Sequence, residues 1–296
     1  MIDLAKGIEL FEKGKINQAE KHFKNILEKQ KENPEVHFYL GRIAFQKDQY
    51  DAAISYFEKA IEYNPEEARY HEMYGETLGL KAQQAGMIKG AMMLRKVKAA
   101  FEKALSLNPE SLMAREGLFM INLFAPGVAG GDEKKAMELF ELIKKQNATH
   151  GHMAQALIHL KNNRLEEAEK EFELAVRQNG NDREILMRSA RFFLQRKKYD
   201  RVLEIADLYI QHFPDDPRGY QLKGEAYLSE DNADEALNWF NLAIEKDDLF
   251  FNAYFHRAKV FLAKGKSEMA QKDVDFILNH PEASKEFKER AKKLMK

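Results

Sequence analysis

Residues 34–67 read PEVHFYLGRIAFQKDQYDAAISYFEKAIEYNPEE, and the fold turns on this stretch. Pro34 suits a first helical turn, where its missing N–H has no partner to lose. Small residues stand at Gly41 and Ala53, and the aromatic Phe57 follows four places after the second. Two helices folded back on each other need that pattern. The small residue on the first lets the second approach closely, and the ring fills the groove beside it. Asn64 and Pro65 then mark the end of the second helix.

The pattern recurs at a fixed step of 34. Gly7, Gly41 and Gly75 keep that step, as do Ala19 and Ala53, and Phe23 and Phe57. Further along, Ala156, Ala190, Gly224 and Ala258 keep it too, with Ala168, Val202, Ala236 and Ala270 in phase behind them. A period in this range marks stacked helical hairpins, none of which can bury its apolar face alone. Pro34, Pro65, Pro109, Pro214, Pro217 and Pro281 all fall at joints between repeats, and Pro126 alone lies elsewhere.

Composition points the same way. The 296 residues are 44% hydrophobic and 32% charged, with two Thr and seven Val in the whole chain. Ala, Leu, Glu and Lys dominate, so helix is favoured nearly everywhere and the expected class is all-α. A net charge of −1 gives no global field toward nucleic acid or an anionic membrane. The absence of Cys removes disulfides, thiolate metal sites and a Cys nucleophile together. No apolar run approaches the roughly 18 residues that span a bilayer. Met1 to Lys6 enter an amphipathic helix with no signal-peptide pattern, which reads as cytoplasmic or as a trimmed mature form.

Leu40-Gly41, Tyr50, Ala53, Phe57, Ala60 and Asn64-Pro65 together resemble the tetratricopeptide repeat, and the resemblance runs over essentially the whole chain. It implies one continuous right-handed superhelical solenoid of about eight hairpins plus a C-terminal capping helix. Its implied role is a non-catalytic scaffold that binds a peptide segment or helix of another protein in a concave groove. Repeats one to three then occupy 1–111, an irregular fourth 112–148, the fifth to eighth 149–281, and the cap 282–296.

Two places break the period. Gly75 and Val97 are 22 apart, where a regular repeat has 12. The ten added residues lengthen both helices of the third hairpin, around a turn near Gly86 to Gly90. Met87, Ile88, Met92 and Met93 in this insert suit a surface that adapts to apolar partners, but they equally suit padding for longer helices. In the fourth repeat Ala125-Pro126-Gly127-Val128-Ala129-Gly130-Gly131-Asp132 precedes a helix from Glu133. The lengthened hairpin and this loop resemble a group of bacterial tetratricopeptide proteins that are often exported. The loop lacks the Gly-Lys-Ser/Thr ending of a phosphate cradle, and Asp132 reads as an N-cap.

The resemblance also assigns the inner face to the first helix of each hairpin. It places Phe38, Arg42, Phe45, Arg69, Glu72 and Glu76 there in repeats two and three. In repeats six and seven it places Met187, Arg191, Leu194, Arg218, Gln221 and Glu225. Arg42, Arg69 and Glu76 recur 149 places later as Arg191, Arg218 and Glu225. Either these arginines brace neighbouring hairpins against glutamates, or they hold a partner's carboxylate. The Lys and Asn of the family's carboxylate clamp are not reproduced, since Phe38 and Arg42 stand in their place. His150, His152 and His159 cluster without a completing ligand set, and His37 and His71 read as packing residues. No catalytic constellation, metal or cofactor is expected. Partners are expected to be protein, with no nucleic acid and no membrane insertion; self-assembly into homo-oligomers and a ligand-carrying accessory role in transport are the alternatives.

Overall fold

The computed structural model describes residues 4–85 and 87–295, the side chains of Met87, Ile88 and Glu286 excepted. Among the described residues there are helices and no strand. The chain divides into two compact units, Met1–Ala168 and Glu169–Lys296.

In the first unit α1 (Leu4–Glu12) pairs with α2 (Ile16–Lys29), α3 (Pro34–Gln46) with α4 (Tyr50–Tyr63), and α5 (Ala68–Gln84) with α6 (Met87–Leu107). The helix expected from Met1 is seen from Leu4, and Met1 to Asp3 lie outside the described residues. Next, α7 (Leu112–Phe124) pairs with α8 (Glu133–Gln146), and α9 (Ala148–Lys161) follows. Residues 168 and 169, where the units divide, lie within α10 (Leu165–Gln178). In the second unit α11 (Arg183–Gln195) pairs with α12 (Tyr199–His212), α13 (Pro217–Ser229) with α14 (Ala233–Lys246), and α15 (Phe251–Ala263) with α16 (Ser267–Asn279). A last helix, α17 (Lys285–Leu294), lays Phe287 and Ala291 onto the core that contains Phe251 and Phe255.

The small-residue series is the close approach its spacing predicts. A Cβ on Gly41 would stand 2.6 Å from Cε1 of Phe57, whose ring is fully buried. Gly7 with Phe23 and Gly224 with Phe240 repeat the contact at 2.6 and 2.5 Å. For Gly75 the ring is Phe101, displaced along the chain by the length of the insert. The extra residues have therefore been absorbed without moving the base of the hairpin. They appear as length: α5 has 17 residues and α6 has 21, against 13 and 14 in α3 and α4. The tip is tighter than expected, because α5 ends at Gln84 and α6 resumes at Met87. Of the expected turn, Gly86 lies outside the described residues and Gly90 falls within α6.

Regular hairpins turn through one left-handed residue. Gly14, Asp48, Asn163, Lys197, Asp231 and Gly265 have φ between 55° and 72°, and within each run they keep the common step of the repeat. A left-handed residue ends a helix cheaply when it is Gly, and at some cost otherwise. The joints between hairpins are held differently. Nε2 of His37 donates to the Lys31 carbonyl at 2.7 Å, and Nε2 of His71 to the Pro65 carbonyl at 2.8 Å. Arg115, Tyr220 and Tyr254 reach the carbonyls of Pro109, Pro214 and Asp248 in the same way, always six places back. The two histidines are thus anchors for the preceding joint as well as packing groups.

Candidate functional site

First helices of neighbouring hairpins lie side by side: α3 touches α5, α5 touches α7 and α7 touches α9, as α13 touches α15 in the second unit. The groove residues expected from the sequence lie on first helices, and those expected from the insert lie on α6.

In the first unit that face is largely closed on itself. Phe38 is 3% exposed and packs against Tyr39, Phe57 and Tyr70, so it is core and not a partner contact; this corrects the expectation for it. The Arg42 guanidinium lies 4.4 Å from the Phe11 ring centroid, 5.4 Å from Tyr39 and 5.6 Å from Phe38. Burial there pulls its pKa below the usual arginine value. Arg69 donates to Glu35 on the preceding hairpin at 2.9 Å and to Glu67, its own N-cap, at 3.1 Å. The Tyr70 hydroxyl donates to the same Glu35 oxygen at 2.7 Å. Glu72 accepts from Ser111 at 2.5 Å, and Glu116 faces His150 at 2.7 Å. Phe45 is half-buried with its ring edge-on to Tyr50, and Glu76 is half-buried on α5.

The second unit presents the related residues differently. Arg218 grips Asp216, two places before it, through Nε at 2.9 Å and Nη2 at 2.5 Å. Asp216 is also the N-cap of α13 and accepts from the Tyr209 hydroxyl, so this arginine is committed to its own joint. Glu184, the counterpart of Glu35, pairs with Arg188 one turn along its own helix. Glu225 accepts from Gln221 at 2.5 Å and faces Nε2 of His256 at 3.2 Å. His256 is stacked on Phe240, and burial, outweighing Glu225, keeps its pKa below the usual histidine value. Arg191 is exposed and has no hydrogen-bond, ion-pair or ring partner among the described residues. Met187 and Leu194, half-buried, flank it at i−4 and i+3 on one helical face.

The two irregular segments meet. Nζ of Lys98 on α6 donates to the Gly130 carbonyl at 3.1 Å, and the short 3₁₀ turn Gly127–Ala129 packs on α6. Gly131 allows no side chain, since a Cβ would fall 1.8 Å from the Ala125 carbonyl oxygen. Asp132 caps α8 by accepting from the Lys135 N–H at 3.2 Å, as its position implies. Met92 is 70% exposed and Val128 89% exposed, while Met93 and Leu94 pack partly into the core of α5, α6 and α7. The Met87 and Ile88 side chains lie outside the described residues. In sequence the insert and the loop stand apart, and a join between positions 32 apart leaves no local signal. On the second unit, an open cavity of about 550 Å³ lies against α12, lined by Glu173, Arg177, Arg201 and Glu204. Arg201 fills its wall with a bidentate pair to Glu173 at 2.9 and 2.8 Å.

No helix among the described residues is long and apolar enough to cross a membrane. No curated protein matches the chain in sequence. In structure it is similar to yeast Tom70, with TM-score 0.61 and 16% identity over 95% of this chain and 58% of that one. It is also similar to the human IFIT1 dimer with m7Gppp-AAAA, at TM-score 0.51 and 17% identity, over 93% of this chain and 67% of that one. A tetratricopeptide repeat protein from Parabacteroides merdae ATCC 43184 aligns over 99% of this chain and 95% of its own, at TM-score 0.46 and 17% identity. The likenesses to Tom70 and IFIT1 carry the fold alone. Profiles described as tetratricopeptide repeat match residues 10–76 and 159–226, and a further one matches 217–247, together just over half of the chain. With the periodic hairpins and their Gly–Phe contacts, these matches place the chain in the tetratricopeptide repeat family.

Proposed function

We propose that this protein is an interaction scaffold whose first-helix face in the second unit takes an extended partner segment by a carboxylate, with Arg191 as the anchor. The observation that carries this reading is the contrast with Arg42. One arginine is stacked among three rings, while the other stands exposed and unpaired between Met187 and Leu194. A guanidinium presents a planar fork of donors matched to a carboxylate, and its apolar flanks offer area for the residues on either side. The coarse role, holding another protein, is the usual one for the family's fold. The carboxylate and its anchor are the part of the reading that rests on Arg191.

The test is selection of peptides with free C-termini from a random display library on the purified protein, followed by affinity measurement on variants. Arg191→Ala is expected to weaken the selected peptides tenfold or more, about 1.5–3 kcal/mol for a charged hydrogen-bonded contact. Amidating their C-termini, or replacing their acidic residues, produces the same loss. Equal affinity for wild type and Arg191→Ala sinks the reading.

A further inference from the structure

We propose that the tall α5–α6 hairpin and the Gly-rich loop packed on it form a second docking surface, which takes an acidic partner segment bearing large apolar side chains. This surface is independent of Arg191.

The two most exposed large apolar side chains among those described are Val128 and Met92. Each lies in one of the two segments that depart from the regular period, and those segments are the ones joined through Lys98 and Gly130. Isolated exposed apolar residues are ordinary. Two extremes on adjoining non-periodic segments are a surface kept apolar where regular repeats carry nothing so exposed. Phe124, 46% exposed at the end of α7, lies four places before Val128 and extends the apolar content of this region.

The charge around them has one sign. Residues 87–100 contain Lys89, Arg95, Lys96 and Lys98 and no carboxylate, and residues 124–131 contain no charge at all. On α6 the exposed positions 89, 92, 95, 96 and 99 follow helical spacing along one face, so Met92 stands among three cations. Lys89, Arg95 and Lys96 have no ion-pair partner among the described residues. Some cations elsewhere are taken up, as Lys81 is by Asp51, Arg69 by Glu35, Lys264 by Asp234 and Arg257 by Asp273, while Arg191 is not. The chain has 48 acidic residues for its 47 Lys and Arg, yet none of them stands within this stretch of α6.

An occupant that satisfies both features carries acidic groups for the three cations and apolar side chains for Met92 and Val128. An anionic bilayer is the weaker match, since electrostatic anchoring uses clusters of about four to eight basic residues, and with Lys98 turned onto the Gly130 carbonyl three remain. Single-stranded nucleic acid is weaker too, because it binds by stacking successive bases on several aromatic faces, and Phe124 alone of the apolar residues named here has one.

The probe is a random dodecapeptide display library, selected on the wild-type protein and depleted on a Lys89→Glu, Arg95→Glu, Lys96→Glu variant. Peptides surviving this scheme are expected to be rich in Asp and Glu together with Leu, Met or Phe. Their binding is expected to fall tenfold or more on Met92→Ser with Val128→Ser, to persist on Met92→Leu, and to be unchanged by Arg191→Ala. Unaltered melting of the variants shows that folding is not the cause. The proposal is overturned if no peptide survives, or if survivors lack acidic residues or bind the serine variant equally. It is also overturned if light scattering shows a wild-type dimer that the charge reversal dissociates, or if phosphatidylserine vesicles bind wild type and are released by that reversal. Loss of binding on Arg191→Ala alone would count for the first reading and against this one.

Discussion

The first-helix faces of the two units carry the same three charged residue types at the same spacing, yet they are different surfaces. In the first, Arg42 lies among Phe11, Phe38 and Tyr39, and Arg69 ties one hairpin to the one before it through Glu35. In the second, Arg191 is exposed, and Arg218 holds its own joint through Asp216. The residues 149 places after Phe11, Phe38 and Tyr39 are Leu160, Met187 and Arg188, none of them aromatic. A guanidinium with rings nearby gains cation–π and stacking contact as it loses water. Without rings it stays hydrated and available. The charge is repeated; its surroundings decide whether it is stacked among rings or left exposed.

Giving the first unit the surroundings of the second is the change with the largest expected effect. Phe11→Leu with Phe38→Met removes two buried rings and is expected to cost about 2–4 kcal/mol, from lost burial and incomplete refilling. Urea unfolding followed by circular dichroism measures it. The same variant should leave Arg42 free to take the carboxylate peptides selected on Arg191. A stability change no larger than that of an ordinary surface substitution would mean that the rings do not close this face.

A smaller effect separates the arginines themselves. Arg42→Ala is expected to cost about 1–2 kcal/mol, since it loses a partly desolvated stack and the packing of its stem. Arg191→Ala should stay within about 0.5 kcal/mol, as exposed substitutions usually do. Equal losses at the two positions would erase the distinction between the faces.

The smallest expected effect is in pH, and it belongs to the second unit. His256 faces Glu225, Lys259 and Arg290, and burial lowers its folded pKa below the unfolded value. The unfolded chain therefore binds the proton more readily. The stability from the neutral imidazole is full above the unfolded pKa of about 6.5, and declines as pH falls from there toward the folded pKa. Trp239, the one tryptophan in the sequence, lies in this unit and reports its unfolding by fluorescence. Between about pH 7.5 and 5.5 the wild type should lose more stability than His256→Gln. Parallel pH profiles would show that His256 does not set the slope.

Much of the fold was legible because its rule is local and periodic. Gly41 and Phe57 lie close in sequence on two successive helices, and both ends of that contact recur with the repeat. The shift of its third copy to Phe101 is visible in the sequence as the insert. Asp132 could be read as a cap because an N-cap contacts the backbone two or three places on. The binding faces were less legible. Arg42 and Arg191 share a helical position, and what distinguishes them includes Phe11, which belongs to the hairpin before that of Arg42. Phe38 followed the groove position and was nevertheless drawn into the core by Tyr39, Phe57 and Tyr70. The meeting of insert and loop, and the carbonyl anchors at His37, His71, Arg115, Tyr220 and Tyr254, depend on backbone carbonyls, which every residue type carries.

The length of α5 and α6 bears on how a repetitive surface is addressed. An array of equal hairpins offers a long partner several equivalent seats, each one hairpin from the next, and a partner displaced by one seat makes nearly the same contacts. Helix α5 exceeds α3 by four residues, a rise of about 6 Å at about 1.5 Å per residue. One hairpin in the first unit therefore stands taller than those beside it, while its base, with Gly75 against Phe101, keeps the common geometry. Such a step makes one seat unlike its neighbours without disturbing the stack. It is a datum mark on a ruler whose other divisions look alike, and it makes one position along the unit distinguishable from the rest.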